Sequence, residues 1–207
     1  MSELIEIHQL DYKACSLTYS EGACTAQATT RPAGVAVAVS DTFDFESGTT
    51  GINISSDGFW RRDSGATASG STGPSSGEGG STYYMYMETS SGAANSSGNT
   101  GSFESDSFTG KQISFYYHMY GNDIGALQLH IESNGVWYKV FEKSGEQQSS
   151  ENSDYTQAVI NLTQYQGSLK FRFTGVAVGG YLGDIAVDKI EVFSEVDPQT
   201  TNNYTLL

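Results

Sequence analysis

The dipeptide Asn134-Gly135 lies between two runs of strand-forming residues, Ala126–Ser133 and Val136–Glu142. Both positions tolerate the positive φ angles of a two-residue hairpin turn, so the pair predicts adjacent antiparallel strands. The same grammar recurs along most of the chain. Phe43–Glu46, Phe59–Arg62, Tyr83–Glu88, Gln112–Tyr120, Tyr155–Asn161, Leu169–Thr174 and Ile185–Phe193 read as short strands punctuated by Gly, Ser and Asn. No segment carries a helical period, and 24 glycines among 207 residues oppose long helices. Short strands at regular spacing, joined by tight turns, predict an all-β fold, an antiparallel sandwich.

Charge narrows the partners. Acids outnumber bases 24 to 10, for a formal net charge of -14. Nucleic acid is excluded, because phosphate binding needs a Lys/Arg footprint, and anionic membranes are disfavoured for the same reason. The longest apolar run, residues 33–39, falls far short of the roughly 20 residues a spanning helix requires. The first residues, Met1-Ser2-Glu3-Leu4-Ile5-Glu6, show no basic region followed by a hydrophobic segment, so no secretory signal peptide is expected.

Composition changes near residue 40 and divides the chain into three parts. Residues 1–40 form an Ala- and Thr-rich extension with candidate strands at Glu3–Leu10 and Gly34–Val39. Residues 41–194 form the sandwich, and residues 195–207 a polar tail. Both cysteines, Cys15 and Cys24, lie in the extension. They either close a short disulfide loop or remain reduced thiols. One stretch of the sandwich, Ser64–Thr82, is almost entirely Ser, Gly, Thr and Ala. It reads as a long loop that is either flexible or a binding rim.

Several motifs of the sandwich occur in the order seen in MAM domains. They are Phe43-Asp44-Phe45-Glu46, Phe59-Trp60-Arg61-Arg62, Thr72-Gly73-Pro74 and Tyr84-Met85-Tyr86-Met87-Glu88. Ser114-Phe115-Tyr116-Tyr117-His118-Met119-Tyr120-Gly121 follows, and Gly179-Gly180-Tyr181-Leu182-Gly183-Asp184-Ile185-Ala186-Val187-Asp188-Lys189-Ile190 ends the series. The resemblance implies an antiparallel jelly-roll sandwich that serves extracellular recognition or adhesion and not catalysis. Eukaryotic members usually carry disulfides within the domain, whereas no cysteine follows Cys24 here. That departure points to a microbial or viral member. The extension, with Ala14-Cys15-Ser16-Leu17-Thr18-Tyr19 and Ala23-Cys24-Thr25-Ala26, resembles N-terminal segments of phage structural proteins. It implies a docking segment that joins the domain, in several copies, to other structural proteins of a virion or tail. The alternative is an adhesion or carbohydrate-binding module of a secreted bacterial protein that contacts cell-surface glycans.

Acidic residues form the first candidate site. In a regular terminal strand Asp184, Ala186, Asp188, Ile190 and Val192 share one face, and their apolar majority marks it as buried. First and last strands of such sandwiches lie close, which would bring Asp44 and Glu46 towards Asp184 and Asp188. Carboxylates 4 Å apart repel by about 4 kcal/mol at an effective dielectric of 20, and a hard cation converts that repulsion into coordination. A structural Ca²⁺ site is therefore expected, with Glu46 and Asp188 at its centre, Asp44 and Asp184 beside them, and Glu88 and Asp63 further out. The bland alternative is that Asp188 accepts backbone N–H bonds while the other acids face water.

Aromatics form the second. Trp60, Tyr84, Tyr86, Phe115, Tyr117 and Phe171 fit core positions. Tyr116, His118 and Tyr120 alternate with Phe115, Tyr117 and Met119, so they occupy the opposite face and could stack on sugar rings. Tyr181 near a turn joins this candidate ligand set, with Trp137, Tyr138, Tyr155 and Tyr165 as further candidates. No catalytic constellation is expected. The three histidines, His8, His118 and His130, lack metal-ligand spacing, no Ser sits in a nucleophile elbow, and neither cysteine has a nearby His.

Overall fold

The computed structural model describes residues 15–20, 23–28, 37–90 and 96–196. Its strands are β1 (Cys15–Ser20), β2 (Ala23–Ala28), β3 (Val39–Phe43), β4 (Ile52–Ile54), β5 (Trp60–Ser64), β6 (Tyr83–Met87), β7 (Thr100–Ser105), β8 (Gln112–Met119), β9 (Ala126–Ser133), β10 (Val136–Ser144), β11 (Thr156–Asn161), β12 (Leu169–Val176) and β13 (Ile185–Phe193). Eleven of these, β3 to β13, build two antiparallel sheets. One runs β10-β9-β12-β7-β4, and the other runs β11-β8-β13-β6-β5 with β3 also paired to β13. The all-β sandwich expected from the strand grammar is thus the fold.

The main core lies between the sheets. Leu127, Leu129, Ile131, Phe171, Phe173 and Phe103 of one sheet meet Ile113, Phe115, Tyr117, Met85, Met87, Ile185 and Val187 of the other. Phe173 is central, with Phe103 stacked at 5.2 Å and Phe115 edge-on at 4.8 Å. Trp60 adds an edge contact to Phe103 at 4.9 Å and donates its indole N–H to the Gly101 carbonyl at 2.9 Å, so its polar atom is satisfied inside.

Most expected strands sit where the alternation placed them, and the β9–β10 turn uses Asn134 at φ 53° and Gly135 at φ 79°. Three differences have physical causes. The strand expected at Phe43–Glu46 is Val39–Phe43 instead, because Phe45 adopts φ 61° and turns the chain. Strands β4 and β7 were not expected; β4 has only three residues, half of β7 is Gly and Ser, and their pairing is supplied by β12 and by each other. In the extension, β1 and β2 pair with Cys15 opposite Ala28 and Cys24 opposite Tyr19. That register holds the two cysteine Cα positions about 13 Å apart, beyond the span of a disulfide. The expected strand at Glu3–Leu10, most of that at Gly34–Val39, and the tail from Asp197 lie outside the described residues.

The last strand departs from regular alternation at one residue. Lys189 has φ 46°, and the pairing with β8 slips there, with Asp188 opposite Tyr116 and Glu191 opposite Ser114. Two residues on β13, Lys189 and Ile190, answer one on β8, Phe115, which is a β-bulge. Ile185 and Val187 face the main core before it, and Ile190 and Val192 face it after. Asp184, Ala186 and Asp188 therefore point to the other side of the sheet. The single buried face expected for Asp184, Ala186, Asp188, Ile190 and Val192 does not exist.

Candidate functional site

Ala186 packs with Tyr84, Tyr86 and Tyr155 in a second, smaller apolar cluster on the outer face of the six-stranded sheet. The Ser- and Gly-rich segment from Gly65 to Thr82 lies over it. Tyr84 donates its hydroxyl to the Gly65 carbonyl at 2.7 Å and Tyr155 to the Ser76 carbonyl at 3.1 Å. Backbone bonds tie Gly73 to Tyr120 and Ser75 to Glu151. The segment is thus a fixed cover rather than a free loop, and its residues 75–80 also line a small concavity with residues 151–155. The cover's small residues are what close approach demands. A Cβ on Gly77 would stand 2.8 Å from Asp188 Oδ2, and one on Gly73 would stand 2.6 Å from Thr67 Cγ2.

The two buried aspartates hold the cover down. Asp188 Oδ2 accepts from the Glu78 N–H at 2.9 Å and the Ser81 hydroxyl at 2.8 Å, while Oδ1 accepts from the Lys189 N–H at 2.7 Å. Asp184 Oδ1 accepts from the backbone and the hydroxyl of Thr89, at 3.0 and 3.1 Å. The Asp184 N–H donates to Thr72 Oγ1 at 2.9 Å. Burial pushes both carboxyls up to about 6, against the pull of these hydrogen bonds.

The five acids expected around one cation divide between places. Asp188 and Glu46 lie close enough for repulsion, where β3 ends and β6 begins along β13, and Glu46 Oε1 accepts from the Tyr83 N–H at 2.7 Å. Asp184 and Glu88 form a second neighbourhood. Burial raises the Glu88 carboxyl, but bonds from Ser90 and Tyr86 outweigh it and leave the group below its usual range. Asp44 folds back on its own turn, accepting from the Glu46 N–H at 3.1 Å. Asp63 takes the Ser64 N–H at 2.8 Å. Among the described residues no three His, Cys, Asp or Glu side chains gather in a geometry for a metal ion. Asp188 accepts backbone N–H bonds, as the alternative reading required, but Asp184 and Glu88 are buried and do not face water.

The expected aromatic row does not present one exposed surface. His118 is fully buried beside Tyr155 and the backbone of Ser150 and Ser153, its ring centroid 5.3 Å from that of Tyr155, and burial lowers it to about 4. Tyr116 and Tyr120 are half-buried, Tyr116 with the Lys189 ammonium 5.4 Å from its ring. Only Tyr181, 57% exposed, stands free as expected. Tyr116 and His118 do lie on the outer face, as alternation required; the covering layer was the missing element.

An accessible concavity lies elsewhere, at the tip of β9–β10. A groove of about 700 Å³ runs between that turn and the segment following β11, lined by Ser133, Asn134, Trp137, Tyr138, Tyr165 and Gln166 among others. The Tyr138 and Tyr165 rings meet at 5.2 Å with 42° between their planes. The Arg172 guanidinium lies 3.9 Å over the Trp137 ring and is itself held by Glu104 at 2.7 Å. Lys139, the groove's ammonium, is paired with Glu142.

MAM domain-containing glycosylphosphatidylinositol anchor protein 1 of Rattus norvegicus is 31% identical over 115 residues, which is 52% of this chain and 11% of that protein. The Homo sapiens protein of the same name matches over the same shares. The chain thus spans about a ninth of the length of these curated relatives. Among solved structures, the K2 cleaved adhesin domain of Lys-gingipain superposes with a TM-score of 0.53 at 17% identity, covering 73% of this chain and 98% of that one. The K1 cleaved adhesin domain of Lys-gingipain from Porphyromonas gingivalis W83 gives 0.54 at 13% identity, covering 75% and 98%. These two likenesses concern the fold. The model of the MAM domain (meprin/A5/mu) matches residues 43–197, the whole sandwich, and the chain belongs to the MAM domain family.

Proposed function

We propose that this chain acts as a non-catalytic recognition module at a cell or particle surface, with glycans as its ligand class. One observation carries the reading: the buried carboxylates and imidazole do not line the groove at the β9–β10 tip. Asp184, Asp188 and His118 are buried on the outer face of the other sheet, where Asp188 accepts from the cover and Asp184 from Thr89 after β6. General acid–base chemistry needs such a group within reach of a substrate. The open groove is lined instead by aromatic rings and amides, with its one ammonium already paired. That surface suits binding. Membership in the MAM family supports the same reading. The curated relatives are named as glycosylphosphatidylinositol anchor proteins, which supports an extracellular or surface location.

The test is retention without turnover. The purified chain is passed over immobilised polysaccharides and mixed with intact cells, and the recovered glycans are assayed for new reducing ends. Retention on at least one surface with no new ends is expected. Release of new ends overturns the non-catalytic reading, and absence of retention on every surface overturns recognition.

A second reading concerns residues 1–40, as a segment docking the module into a larger assembly of structural proteins such as a virion or tail. The β1–β2 ladder supports it, since these strands pair with each other and belong to neither sandwich sheet. Limited proteolysis should show protection of this segment only within the assembly. Equal protection in the isolated chain would overturn the docking role.

A further inference from the structure

We propose that the groove at the β9–β10 tip binds a hexose unit of a neutral polysaccharide, with Tyr138 and Tyr165 as its stacking platform. The proposal rests on the recognition reading above and assigns it a site and a ligand class.

The platform follows from register. Tyr138 pairs with Ile131, so it belongs to the face that points into the sandwich, yet it is 42% exposed. The strand is a sheet edge, and its first four residues are exposed or half-buried. Tyr165 packs against that core and is fixed by it. Tyr138 leans on Tyr165, and the two rings make a shallow angled surface that water covers in the free protein. A pyranose ring offers apolar C–H faces to such a surface and hydroxyl groups at its rim.

The rim of the groove answers the hydroxyls. Asn134, Gln164 and Gln166 each bring an amide, which carries donors and an acceptor side by side and so matches a pair of neighbouring hydroxyls. Two of them are held in place by the scaffold. The Gln166 carbonyl accepts from the Ser133 hydroxyl at 3.0 Å, and its amide nitrogen donates to the Thr163 carbonyl at 3.3 Å. Asn134 is fixed by its turn conformation. Trp137 is held by Arg172, so the wall is organised before any ligand arrives, which lowers the ordering cost of binding.

Charge selects neutral over anionic glycans. Lys139 is neutralised by Glu142, and the chain as a whole carries -14. A sulfated or uronic-acid polymer would meet no free cation in the groove and repulsion everywhere else.

Affinity gel electrophoresis of the full chain tests this with galactomannan, mixed-linkage β-glucan and dextran sulfate as probes, for wild type, Tyr138→Ala, Tyr165→Ala, Tyr138→Phe and Tyr181→Ala. Thermal melting of each variant establishes that it is folded. Retardation by at least one neutral polymer is expected, weakened about tenfold in Tyr138→Ala and retained in Tyr138→Phe and Tyr181→Ala. Retardation by dextran sulfate alone overturns the neutral ligand class. Retardation by a neutral polymer that survives Tyr138→Ala and Tyr165→Ala overturns the groove while leaving the recognition reading in force. If no polymer retards the wild type, the groove assignment falls, and cell retention decides the broader reading separately. Should Tyr165→Ala unfold, Tyr138→Ala with Tyr138→Phe carries the result.

Discussion

The outer faces of the two sheets obey the same alternation and end in opposite environments. On the five-stranded sheet, β9 and β12 alternate strictly between buried and half-buried residues. Outward side chains of this sheet make surface pairs, such as Arg172 with Glu104 and Lys139 with Glu142. On the six-stranded sheet, β6 and the first half of β13 are buried at nearly every position. There the outward side chains Tyr84, Tyr86 and Ala186 lie under the Ser- and Gly-rich segment, and His118 is buried beside Tyr155. A strand buried on both faces reads as a continuous apolar run only when both neighbours are apolar. Here one neighbour is a polar loop, so the second face is a mixture of tyrosines and carboxylates. The difference teaches that the low-complexity stretch is a third layer, and that aspartates are the pegs fastening it.

The strongest way to break the difference is to prise the cover off. Gly73 has φ 64° and would place a Cβ against Thr67 and Asp184. Gly73→Val should cost about 3 kcal/mol, combining left-handed strain with overpacking, measured by chemical denaturation. Gly79 has φ 62° but no atom within 4 Å of its would-be Cβ. Gly79→Ala should therefore lose only about 1 kcal/mol. Equal losses at the two sites would mean that the cover is not tightly packed.

Removing a peg comes next. Asp188→Ala strands the Glu78 and Lys189 N–H groups and the Ser81 hydroxyl, and should cost about 2 kcal/mol. On the open sheet, Glu104→Ala removes only a partly exposed ion pair and should cost less than about 1 kcal/mol. If the two variants melt alike, the aspartate does not fasten the loop.

Titration sharpens the comparison further. Folding raises Asp184 and Asp188 to about 6, so the folded state holds their protons more tightly than the unfolded chain does. Their contribution is fully present below about 3.9 and is lost as pH rises through 6. His118, lowered to about 4, runs the other way, and its contribution is lost progressively as pH falls from about 6.5. Between pH 7 and pH 5 the wild type should gain about 2 kcal/mol relative to a variant carrying Asp184→Asn and Asp188→Asn. Parallel stability profiles for the two proteins would show that these carboxyls titrate normally.

The smallest expected effect concerns the cation. Because the acids are divided and most of their oxygens accept protein hydrogen bonds, the melting temperature should be the same in Ca²⁺ and in EGTA. An increase in Ca²⁺ that disappears in Asp184→Asn would instead make Asp184 Oδ2 a ligand.

Much of the fold was legible in local order. The Asn134-Gly135 turn, the runs of β9 and β13, and the core roles of Trp60, Phe115, Tyr117 and Phe171 each follow from a signal carried within a few residues. Period-two alternation and positive-φ residues are properties of the chain itself. β4 and β7 escaped because one is three residues long and half of the other is Gly and Ser, so both become strands only through their partners. The site was less legible. Glu46 and Asp188 do come near one another, as expected from the first and last strands, but one left-handed residue, Lys189, reverses the sides of β13 and sends Asp188 outward. No residue in that sequence announces a bulge, because Lys adopts positive φ only when surrounding pairings over-determine it. Whether His118 meets solvent was likewise decided by the segment around Ser150–Tyr155, and the fate of Asp188 by the Ser- and Gly-rich loop that folds back across the sheet. Sequence by itself determined which residues form strands and which face each one takes in a regular ladder. Tertiary structure alone decided what lies on top of that face, since burial depends on the partner as much as on the residue.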